Sequence, residues 1–423
     1  MESPALVEDT AANPWLAADA IRRLCVSLIL AEQADLLAKG FLSRDAMAPL
    51  QDPQLSRSQR DDLRIDEDGL GFDSLARLNL VFRFNRFFHL SETGIEDYLL
   101  IHRSLGEWVG LVGQHLRLMA DNARFTFDTS GSAGPVKHIT HRAADLFAEM
   151  QSQCRWPLAH VPQSMRITPL VPPHHIFGFL FSCILPAVLR CDVLDLHMAG
   201  PTAVFRLAQS GDLIIGTPLN WRMLHESHRI LPPGVFGVTS AGPSNEVTWA
   251  VRQVNGLAGL TEIYGSTETG GIGARSEPGA PFRLLPHLIR DGEGVIDPIR
   301  GQEPLVLQDR LEWLDIRCFQ VLGRLDDMVK VGGVNVSPTL IRNVLRTCDG
   351  VADAAVRLGG DRMKAFIVPK ADVDLTGLEV RMRAHIAAHL PAPARPVALT
   401  FGSALPVNAM GKSCNWDTAP GAR

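Results

Sequence analysis

One short stretch, Thr129-Ser130-Gly131-Ser132-Ala133-Gly134-Pro135-Val136-Lys137, decides how the rest of the sequence is interpreted. Its glycines and proline exclude the interior of a regular helix or strand, and its hydroxyls and lysine are donors to an anion. The preceding Phe125-Thr126-Phe127-Asp128 is typical of a strand. We therefore predict a phosphate-holding loop at the edge of a sheet, where α/β proteins bind ligands. The GxxxxGK spacing of a Walker A loop is absent, and a Ser/Gly-rich surface turn is the alternative.

Composition places the chain among ordinary globular proteins. Its 423 residues allow two to four domains, and 46% of them are hydrophobic and 21% charged. The net charge of −5 gives no basic surface for nucleic acid. Seven cysteines without a CxxC pair predict reduced thiols in a cytoplasm and no metal cluster. The sequence starts without the features of a signal peptide, and its most apolar window, residues 176–189, is too short to span a bilayer, so we predict a buried helix there.

The first part of the chain, residues 15–118, has a helical pattern after a tail at residues 1–14. Apolar residues recur at helical spacing from Leu16 to Leu37. A second helix is predicted to begin at Asp73-Ser74, with Leu75, Leu78, Val81 and Phe82 facing one way. Two more helices are expected, at residues 95–102 and 105–118.

This region resembles an acyl carrier protein through Asp73-Ser74-Leu75. In that family the same triplet opens the second helix of a small bundle, and its serine carries a phosphopantetheine arm. The resemblance implies Ser74 as the attachment point, a phosphopantetheinyl transferase as a partner, and a phosphate favoured by the helix dipole. The helix has arginines where carrier helices usually present acidic residues. The alternative is a helical docking or dimerisation module in which Asp-Ser is merely an N-cap.

Alternating strand and helix patterns follow the loop. Buried strands are predicted at residues 213–217 and 235–239, and the second ends in the turn Ser240-Ala241-Gly242-Pro243. Upstream, His174-His175 precedes the apolar window. No third ligand stands at a supporting spacing, so we interpret this pair as part of a pocket wall.

Three further motifs complete the pattern. The first is Ile263-Tyr264-Gly265-Ser266-Thr267-Glu268-Thr269-Gly270-Gly271, in which an aromatic ring, a hydroxyl and a carboxylate suit a base, a phosphate and Mg²⁺. The second combines Asp309 with a run from Phe319 to Pro338, and the third is Leu405-Pro406-Val407-Asn408-Ala409-Met410-Gly411-Lys412. With the phosphate loop, and in this order, they resemble the adenylate-forming superfamily of acyl- and aryl-CoA synthetases, peptide-synthetase adenylation domains and luciferases.

The resemblance implies an α/β adenylating fold at residues 119–322, with a large mixed sheet, and a mobile α+β C-terminal lid at residues 323–423, both preceded by the small all-α carrier-like bundle.

The resemblance also implies a role for each matching residue. The ATP phosphates would contact Thr129, Ser130, Gly131, Ser132, Gly134 and Lys137. Adenine would contact Ser240, Ala241, Gly242, Pro243, Tyr264 and Gly265. Thr267 would bind the α-phosphate, Glu268 the Mg²⁺, and Asp309 and Arg324 the ribose or phosphate, with Asp315 as the rival of Asp309. Asp326 would be the hinge, His175 would lie beside the acid, Gly333 beside the pantetheine arm of the thiol, and Lys412 would reach the carboxylate and α-phosphate.

The implied reaction is the ATP-dependent activation of a small aryl or acyl carboxylic acid, followed by transfer to CoA or to carrier-bound 4′-phosphopantetheine, in a secondary-metabolite pathway. Two features depart from the superfamily pattern: Ala133 replaces a threonine, and Val136 separates Pro135 from Lys137. The part before the phosphate loop is also short. The alternative is therefore a catalytically degenerate domain that docks a carrier.

Overall fold

The computed structural model describes residues 17–52, 55–129, 137–160, 166–324, 329–331, 334–360, 362–406 and 414–416. The chain divides into two compact units. The first comprises residues 1–291 with 295–305, and the second comprises residues 292–294 with 306–423.

Helices of the first unit are distributed along its whole length. They are α1 (Ala18–Ala38), α2 (Ala48–Gln51), α3 (Arg57–Asp61), α4 (Ser74–Phe88), α5 (Tyr98–Ile101), α6 (Leu105–Met119), α7 (Ala143–Arg155), α8 (Ile176–Phe179), α9 (Leu185–Leu189), α10 (Val204–Leu207), α11 (Pro218–Glu226) and α12 (Glu246–Val254). Its strands are β1 (Arg124–Asp128), β2 (His138–Arg142), β3 (Ile167–Pro169), β4 (Leu213–Gly216), β5 (Phe236–Thr239), β6 (Gly259–Ser266), β7 (Gly270–Arg275) and β8 (Phe282–Leu284). Two short strands follow, β9 (Ile289–Asp291) and β10 (Gly294–Ile296).

The main sheet of the first unit has the strand order β3-β4-β5-β6-β7-β8. Strands β3 to β6 are parallel, whereas β6, β7 and β8 are antiparallel neighbours. The centre of β4, from Leu213 to Ile215, is fully buried, as expected for a parallel strand covered on both faces. The predicted strands at residues 213–217 and 235–239 are confirmed, and their carboxyl ends lie at one edge of this sheet.

Aromatic side chains join the N-terminal helices to the rest of the first unit. The ring of Phe87 on α4 lies 5.8 Å from Phe125 and 5.5 Å from Phe127 on β1. Phe125 in turn lies 4.6 Å from Phe179 on α8. Such aromatic pairs add about 0.5–1.5 kcal/mol each beyond the burial of their area. The N-terminal helices, β1 and α8 therefore share one core.

The buried face of α4 differs from the predicted one. Leu75 and Phe82 are 67% and 59% exposed. The side chains that α4 buries are instead Ala76, Leu80, Val81, Phe84, Phe87 and Phe88. The helical period and the burial of Val81 are confirmed, whereas the prediction was wrong for Leu75 and Phe82, because the helix instead turns Phe87 and Phe88 towards β1.

The carrier-like domain at residues 15–118 is not supported, although its local signal is present. Asp73 caps α4 by accepting the Ala76 N–H at 2.7 Å, and Ser74 is exposed at the first turn. A carrier, however, is a separate bundle, whereas these helices belong to the same compact unit as the main sheet. Arg23 of α1 donates to the Ser182 carbonyl at 2.8 Å, and Ser27 of α1 hydrogen-bonds His174 Nδ1 at 2.6 Å. The N-terminal helices are therefore part of the first unit and not a separate module.

The predicted buried helix at residues 176–189 is present and contains a π-helical turn, Leu180–Ile184, between α8 and α9. A π-turn inserts a residue and frees a backbone carbonyl from the regular ladder; here the Arg23 guanidinium bonds the carbonyl of Ser182 within it. At the start of the run, a Cβ on Gly178 would lie 2.0 Å from the Pro172 carbonyl oxygen. Only glycine lets this helix approach the preceding loop so closely.

The second unit contains a hairpin, β11 (Asp309–Trp313) and β12 (Cys318–Arg324), and the short strands β13 (Val329–Val331) and β14 (Val334–Val336). After helix α13 (Pro338–Arg346), strands β15 (Val351–Gly359), β16 (Arg362–Pro369) and β17 (Ala398–Phe401) form a three-stranded sheet, with α14 (Leu375–His389) between β16 and β17. Its core combines residues of both helices and of the sheet, including Ile341, Leu345, Ile367, Leu378 and Met382.

Within the described residues, no helix is both long enough and apolar enough to cross a membrane.

We expect Gly178→Ala to destabilise the protein by about 1–3 kcal/mol, because the added methyl group meets backbone atoms that cannot move independently. The matched control is Gly110→Ala on α6, where nothing lies within 4 Å of the added carbon. That change removes a helical glycine and should stabilise the helix by up to about 1 kcal/mol. Thermal unfolding midpoints of the two variants should move in opposite directions, and an unchanged midpoint for Gly178→Ala would contradict the close approach.

Candidate active site

The predicted phosphate loop connects β1 and β2, which pair only with each other in the described part of the chain. Its two described ends are held together: the Thr129 N–H donates to the Lys137 carbonyl at 2.9 Å, and the Lys137 N–H donates to Thr129 Oγ1 at 3.1 Å. The intervening residues, which include Ser130, Gly131, Ser132, Ala133 and Gly134, lie outside the described residues. The strand before the loop is confirmed, whereas the phosphate contacts stay a prediction.

Thr267 and Glu268 lie at the tip of a tight turn between β6 and β7. Two hydrogen bonds close the turn. The Ser266 N–H donates to Thr269 Oγ1, and the Thr269 N–H donates to Ser266 Oγ, both at 3.2 Å. Gly270 has φ +71°, a left-handed conformation that favours glycine. The turn therefore places a hydroxyl and a half-buried carboxylate side by side, with their backbone constrained on both sides.

His141, which the sequence analysis did not single out, links the two predicted phosphate-binding segments. Its Nε2–H donates to the Thr267 carbonyl at 2.6 Å, and the residue lies on β2 opposite Phe125. Burial, together with the nearby Arg300 guanidinium, lowers the pKa of His141 to about 4. The imidazole is therefore neutral near pH 7. Its position on the inward side of β2, four residues after Lys137, is the signal that could have identified it.

The predicted adenine segment, residues 240–243, lies at the carboxyl end of β5 beside β6. Thr239 pairs in register with Glu262, and Ser240 Oγ donates to the Ile263 carbonyl at 2.9 Å. Ala241, Gly242 and Pro243 are exposed, and Tyr264 is half-buried with its ring 5.5 Å from Phe282. The structure thus brings the segment next to Tyr264 and Gly265, at the sheet edge where α/β proteins bind ligands.

A buried ion pair lies behind this edge. Glu262, almost fully buried, accepts from Arg275 Nε at 2.6 Å and from the Ser244 N–H at 2.9 Å. The Arg275 guanidinium lies 4.4 Å from the centre of the Phe282 ring. Because Ser244 directly follows residues 240–243, this pair fixes the end of the predicted adenine segment to the β6–β7 hairpin.

His175 immediately precedes α8 and is half-buried, with its ring 4.4 Å from that of His174. Burial and the neighbouring His175 hold the pKa of His174 well below its usual range. Within the described residues no group of three or more His, Cys, Asp or Glu side chains could hold a metal. The interpretation of the two histidines as part of a wall, and of His175 as a neighbour of the acid, stays a prediction.

In the second unit, Asp309 and Arg324 are direct cross-strand partners of β11 and β12. The rival, Asp315, lies in the turn of the same hairpin, where its Oδ1 accepts the N–H groups of Arg317 and Cys318 at 2.7 and 2.6 Å. One oxygen of Asp315 is thus already used by the turn. The pairing favours Asp309 as the ribose ligand.

The remaining predicted residues of the second unit are not placed. The side chain of Arg324 lies outside the described part, as do Asp326, Gly333 and Lys412. The described residues on either side of the Lys412 segment are joined, because the Cys414 N–H donates to the Pro406 carbonyl at 2.8 Å. Just beyond, the Lys364 ammonium donates to the Trp416 carbonyl and lies 4.9 Å from the centre of that indole ring.

Three comparisons identify relatives of the chain. Residues 341–412 match the family model of the AMP-binding enzyme C-terminal domain. The 4-coumarate–CoA ligase of Cereibacter sphaeroides is 44% identical over 398 residues, which cover 94% of this chain and 96% of that protein. The 4-coumarate–CoA ligases of Rhodobacter capsulatus and Halorhodospira halophila are 44% and 38% identical, over 94% of this chain and 100% and 99% of their own lengths.

Solved structures share the fold at low sequence identity. ATP-bound MatB from Rhodopseudomonas palustris has a TM-score of 0.55 at 20% identity, over 68% of this chain and 66% of MatB. The anthranilate CoA ligase AuaEII, in complex with anthranoyl-AMP, has a TM-score of 0.52 at 21% identity, over 68% of this chain and 64% of that protein. The match therefore spans just under two thirds of each of these proteins.

The first two ligases match this chain at 44% identity over nearly the full length of each protein. The chain belongs to the adenylate-forming superfamily, in the family of AMP-forming acid–thiol ligases that includes these 4-coumarate–CoA ligases.

Proposed function

We propose that this protein activates an aryl carboxylic acid of the 4-coumarate type with ATP and transfers the aryl-acyl group to CoA. The structural observation that carries the proposal is the hydrogen bond from His141 to the Thr267 carbonyl. It brings the loop closed by Thr129 and Lys137 to the turn that bears Thr267 and Glu268. The choice of acid rests on the three 4-coumarate–CoA ligases, which are similar along almost their whole length.

The reaction has two steps. In the first, an oxygen of the acid's carboxylate attacks the α-phosphorus of ATP, and pyrophosphate leaves. In the second, the sulfur of CoA attacks the acyl carbon of the mixed anhydride, and AMP leaves with the electron pair of the broken C–O bond. The first step brings two anions together, so its rate depends on groups that offset charge and hold the reactants in line.

The proposed roles of the residues are those that the resemblance implies, and the positions of the described residues near the β5, β6 and β7 ends support them. The loop from Thr129 to Lys137 holds the β- and γ-phosphates, and Thr267 the α-phosphate. Residues 240–243 and Tyr264 contact adenine, while Asp309 and Arg324 bind the ribose. Lys412 offsets the charge of the carboxylate and α-phosphate in the first step. In the second step a turn about Asp326 removes Lys412, and Gly333 lies against the pantetheine arm.

The Thr267–Glu268 turn suits Mg²⁺. Mg²⁺ prefers hard oxygen ligands and is usually held by one or two carboxylates together with substrate phosphates. Glu268 supplies such a carboxylate, half-buried, beside a histidine that is neutral near pH 7. Bound Mg²⁺ supplies positive charge to the phosphates. This chain's own part is to hold the carboxylate in place through the constrained turn.

CoA is the proposed thiol acceptor. A phosphopantetheine arm on Ser74 would require residues 15–118 to be a separate carrier domain. These residues instead form part of the core of the ligase, as the contacts of Arg23 and Ser27 show. The relatives are named as CoA ligases.

We expect Lys412→Ala and Glu268→Gln each to lower acid-dependent pyrophosphate release about 10²- to 10³-fold, because each removes a charge that stabilises the transition state. The assay would compare 4-coumarate with other aryl acids and with fatty acids. Lys370→Ala is the control, since Lys370 is an exposed lysine of the same unit paired with Asp349. Equal activity of wild type and Lys412→Ala, or an inert wild type across all the acids, would contradict the proposal.

Asp309→Asn and Asp315→Asn form a matched pair on one hairpin. Asp309→Asn should raise KM for ATP at least tenfold, because a charged hydrogen-bond partner of the ribose is lost. Asp315→Asn keeps an acceptor oxygen for the turn, so its KM for ATP should stay within twofold and its unfolding free energy should change by about 1 kcal/mol or less. Steady-state kinetics with varied ATP decides; the opposite ranking would assign the ribose to Asp315.

The buried, neutral His141 also predicts a pH dependence of stability. Its pKa is about 4 in the folded protein against a reference value of 6.5, so the unfolded chain binds the extra proton between these values and stability falls as pH drops from 6.5 towards 4. The loss is about 1 kcal/mol at pH 5.5 and about 3 kcal/mol when complete.

His141→Gln, whose side-chain amide can still donate to the Thr267 carbonyl, should lose this part of the pH dependence. The buried His174 shifts stability in the same direction and is present in both proteins, so the difference between wild type and His141→Gln isolates His141. Unfolding measured at pH 7.5 and 5.5 would contradict the prediction if both proteins lost the same stability.

A further inference from the structure

A buried carboxylate lies directly behind the Thr267–Glu268 turn. Glu149 of α7 is 1% exposed, and its Oε1 accepts the Gly271 N–H at 2.8 Å and Gln153 Nε2 at 2.9 Å. Gly271 is three residues after Glu268, on the first part of β7. The carboxylate therefore holds the backbone by which the turn joins the sheet.

Arg300 reaches the same carboxylate from a distant part of the sequence. Its Nη2 donates to Glu149 Oε2 at 2.9 Å, across 151 residues, and its Nε lies 3.1 Å from Asp297 Oδ2. The Arg300 side chain is 15% exposed and Asp297 is 2% exposed. Residues 295–305 belong to the first unit, so all these groups lie in one compact body.

Two glycines leave the space that this ion pair occupies. A Cβ on Gly270 would lie 2.3 Å from Glu149 Oε2 and 2.7 Å from Arg300 Nη2. A Cβ on Gly271 would lie 3.0 Å from Glu149 Oε1. The backbone immediately after the turn is thus in direct contact with both charged groups, whereas neither group belongs to the predicted set that contacts ATP.

Several ionisable groups surround Arg300. Arg300 lies near the carboxyl groups of Glu149, Asp297 and Asp145, and near His141. Burying such groups is costly, and well-packed apolar residues often give equal or greater stability. A stability role therefore does not account for the pair, whereas its bond to a backbone N–H beside the turn gives it a geometric one.

We propose that Glu149 and Arg300 are positioning residues for the adenylation step, which fix Thr267 and Glu268 through the backbone of Gly270 and Gly271. This inference rests on the proposed function and adds two residues to it. Arg300 orients the Glu149 carboxylate, and the carboxylate holds the Gly271 N–H. The turn then presents its hydroxyl and carboxylate in one orientation to ATP and Mg²⁺.

The test compares Glu149→Gln, Arg300→Met, Arg300→Lys and the double variant Glu149→Gln/Arg300→Met in the full-length protein. Arg252→Met is the matched control, because it removes an arginine from an ion pair with Glu277 (2.9 Å) on the same unit without touching the turn. Each protein is assayed for kcat and KM with ATP in acid-dependent pyrophosphate release, for KM with CoA, for MgATP dissociation by calorimetry, and for its unfolding midpoint.

We expect Arg300→Met to lower kcat at least tenfold and to weaken MgATP binding at least fivefold, with KM for CoA within twofold of wild type. Glu149→Gln keeps an acceptor oxygen for the Gly271 N–H but loses the charge that Arg300 pairs with, so its loss of kcat should be smaller. Arg300→Lys should recover part of kcat. The double variant leaves only Asp297 without its cation, whereas Arg300→Met leaves both Glu149 and Asp297 without it. The double variant should therefore unfold closer to the wild-type midpoint than Arg300→Met and yet keep the low kcat. Arg252→Met should have wild-type kinetics.

A purely structural role predicts a different result. If the double variant regained wild-type kcat together with its stability, or if kcat per folded molecule of Arg300→Met stayed within twofold of wild type, the proposal would be overturned. Calorimetry distinguishes failure of the positioning role from failure of the proposed function. A wild type that binds MgATP but activates no acid overturns the proposed function. In that case weaker MgATP binding by Arg300→Met supports the positioning role, and unchanged binding overturns it. A wild type that does not bind MgATP overturns both.

Discussion

The hydrogen bond from His141 to the Thr267 carbonyl is the interaction on which the site depends. Strands β1 and β2 pair with each other and not with the main sheet in the described residues. Aromatic contacts pack β1 against α4 and α8, and the His141 bond adds a direct link from β2 to the β6–β7 turn. An imidazole can donate this bond in either protonation state, but burial keeps it neutral. A neutral donor adds no positive charge beside Glu268, the proposed ligand of Mg²⁺.

The local features of the site could be predicted from the sequence, since strands, turns and caps are set by neighbouring residues. The strand before the phosphate loop, the turn at Thr267 and Glu268 and the cap by Asp73 all follow from short patterns. The carrier interpretation failed at the next level. An N-cap residue predicts where a helix begins, but not what the helix packs against. In this protein α4 packs against β1 through Phe87.

Long-range pairs could not be predicted for a related reason. Glu149 and Arg300 are 151 residues apart, and neither stands in a motif. Their juxtaposition is created by the sheet order and by the return of residues 295–305 to the first unit. The pairing of Asp309 with Arg324 depends on a hairpin register, which is local in sequence. The bonds of Asp315 within the turn of that hairpin were not predictable from the motif.

The region before the phosphate loop is shared with the 4-coumarate–CoA ligases. Those relatives are matched over 96–100% of their own sequences and over 94% of this chain. The length of this region therefore gives no support to the alternative of a degenerate docking domain. Within it, α1, α4 and α6 contribute to the core that supports β1 and α8.

The contact between Arg23 and Ser182 can form only late during synthesis on the ribosome. These residues are 159 positions apart, so at about 5–20 residues per second the partner of Arg23 is synthesised roughly 10 to 30 s later. During that interval α4 and then β1 are synthesised, whereas α8 follows only just before Ser182. The aromatic core that Phe125 forms with Phe87 and Phe179 is therefore completed only when the segment that contains the π-turn has been made.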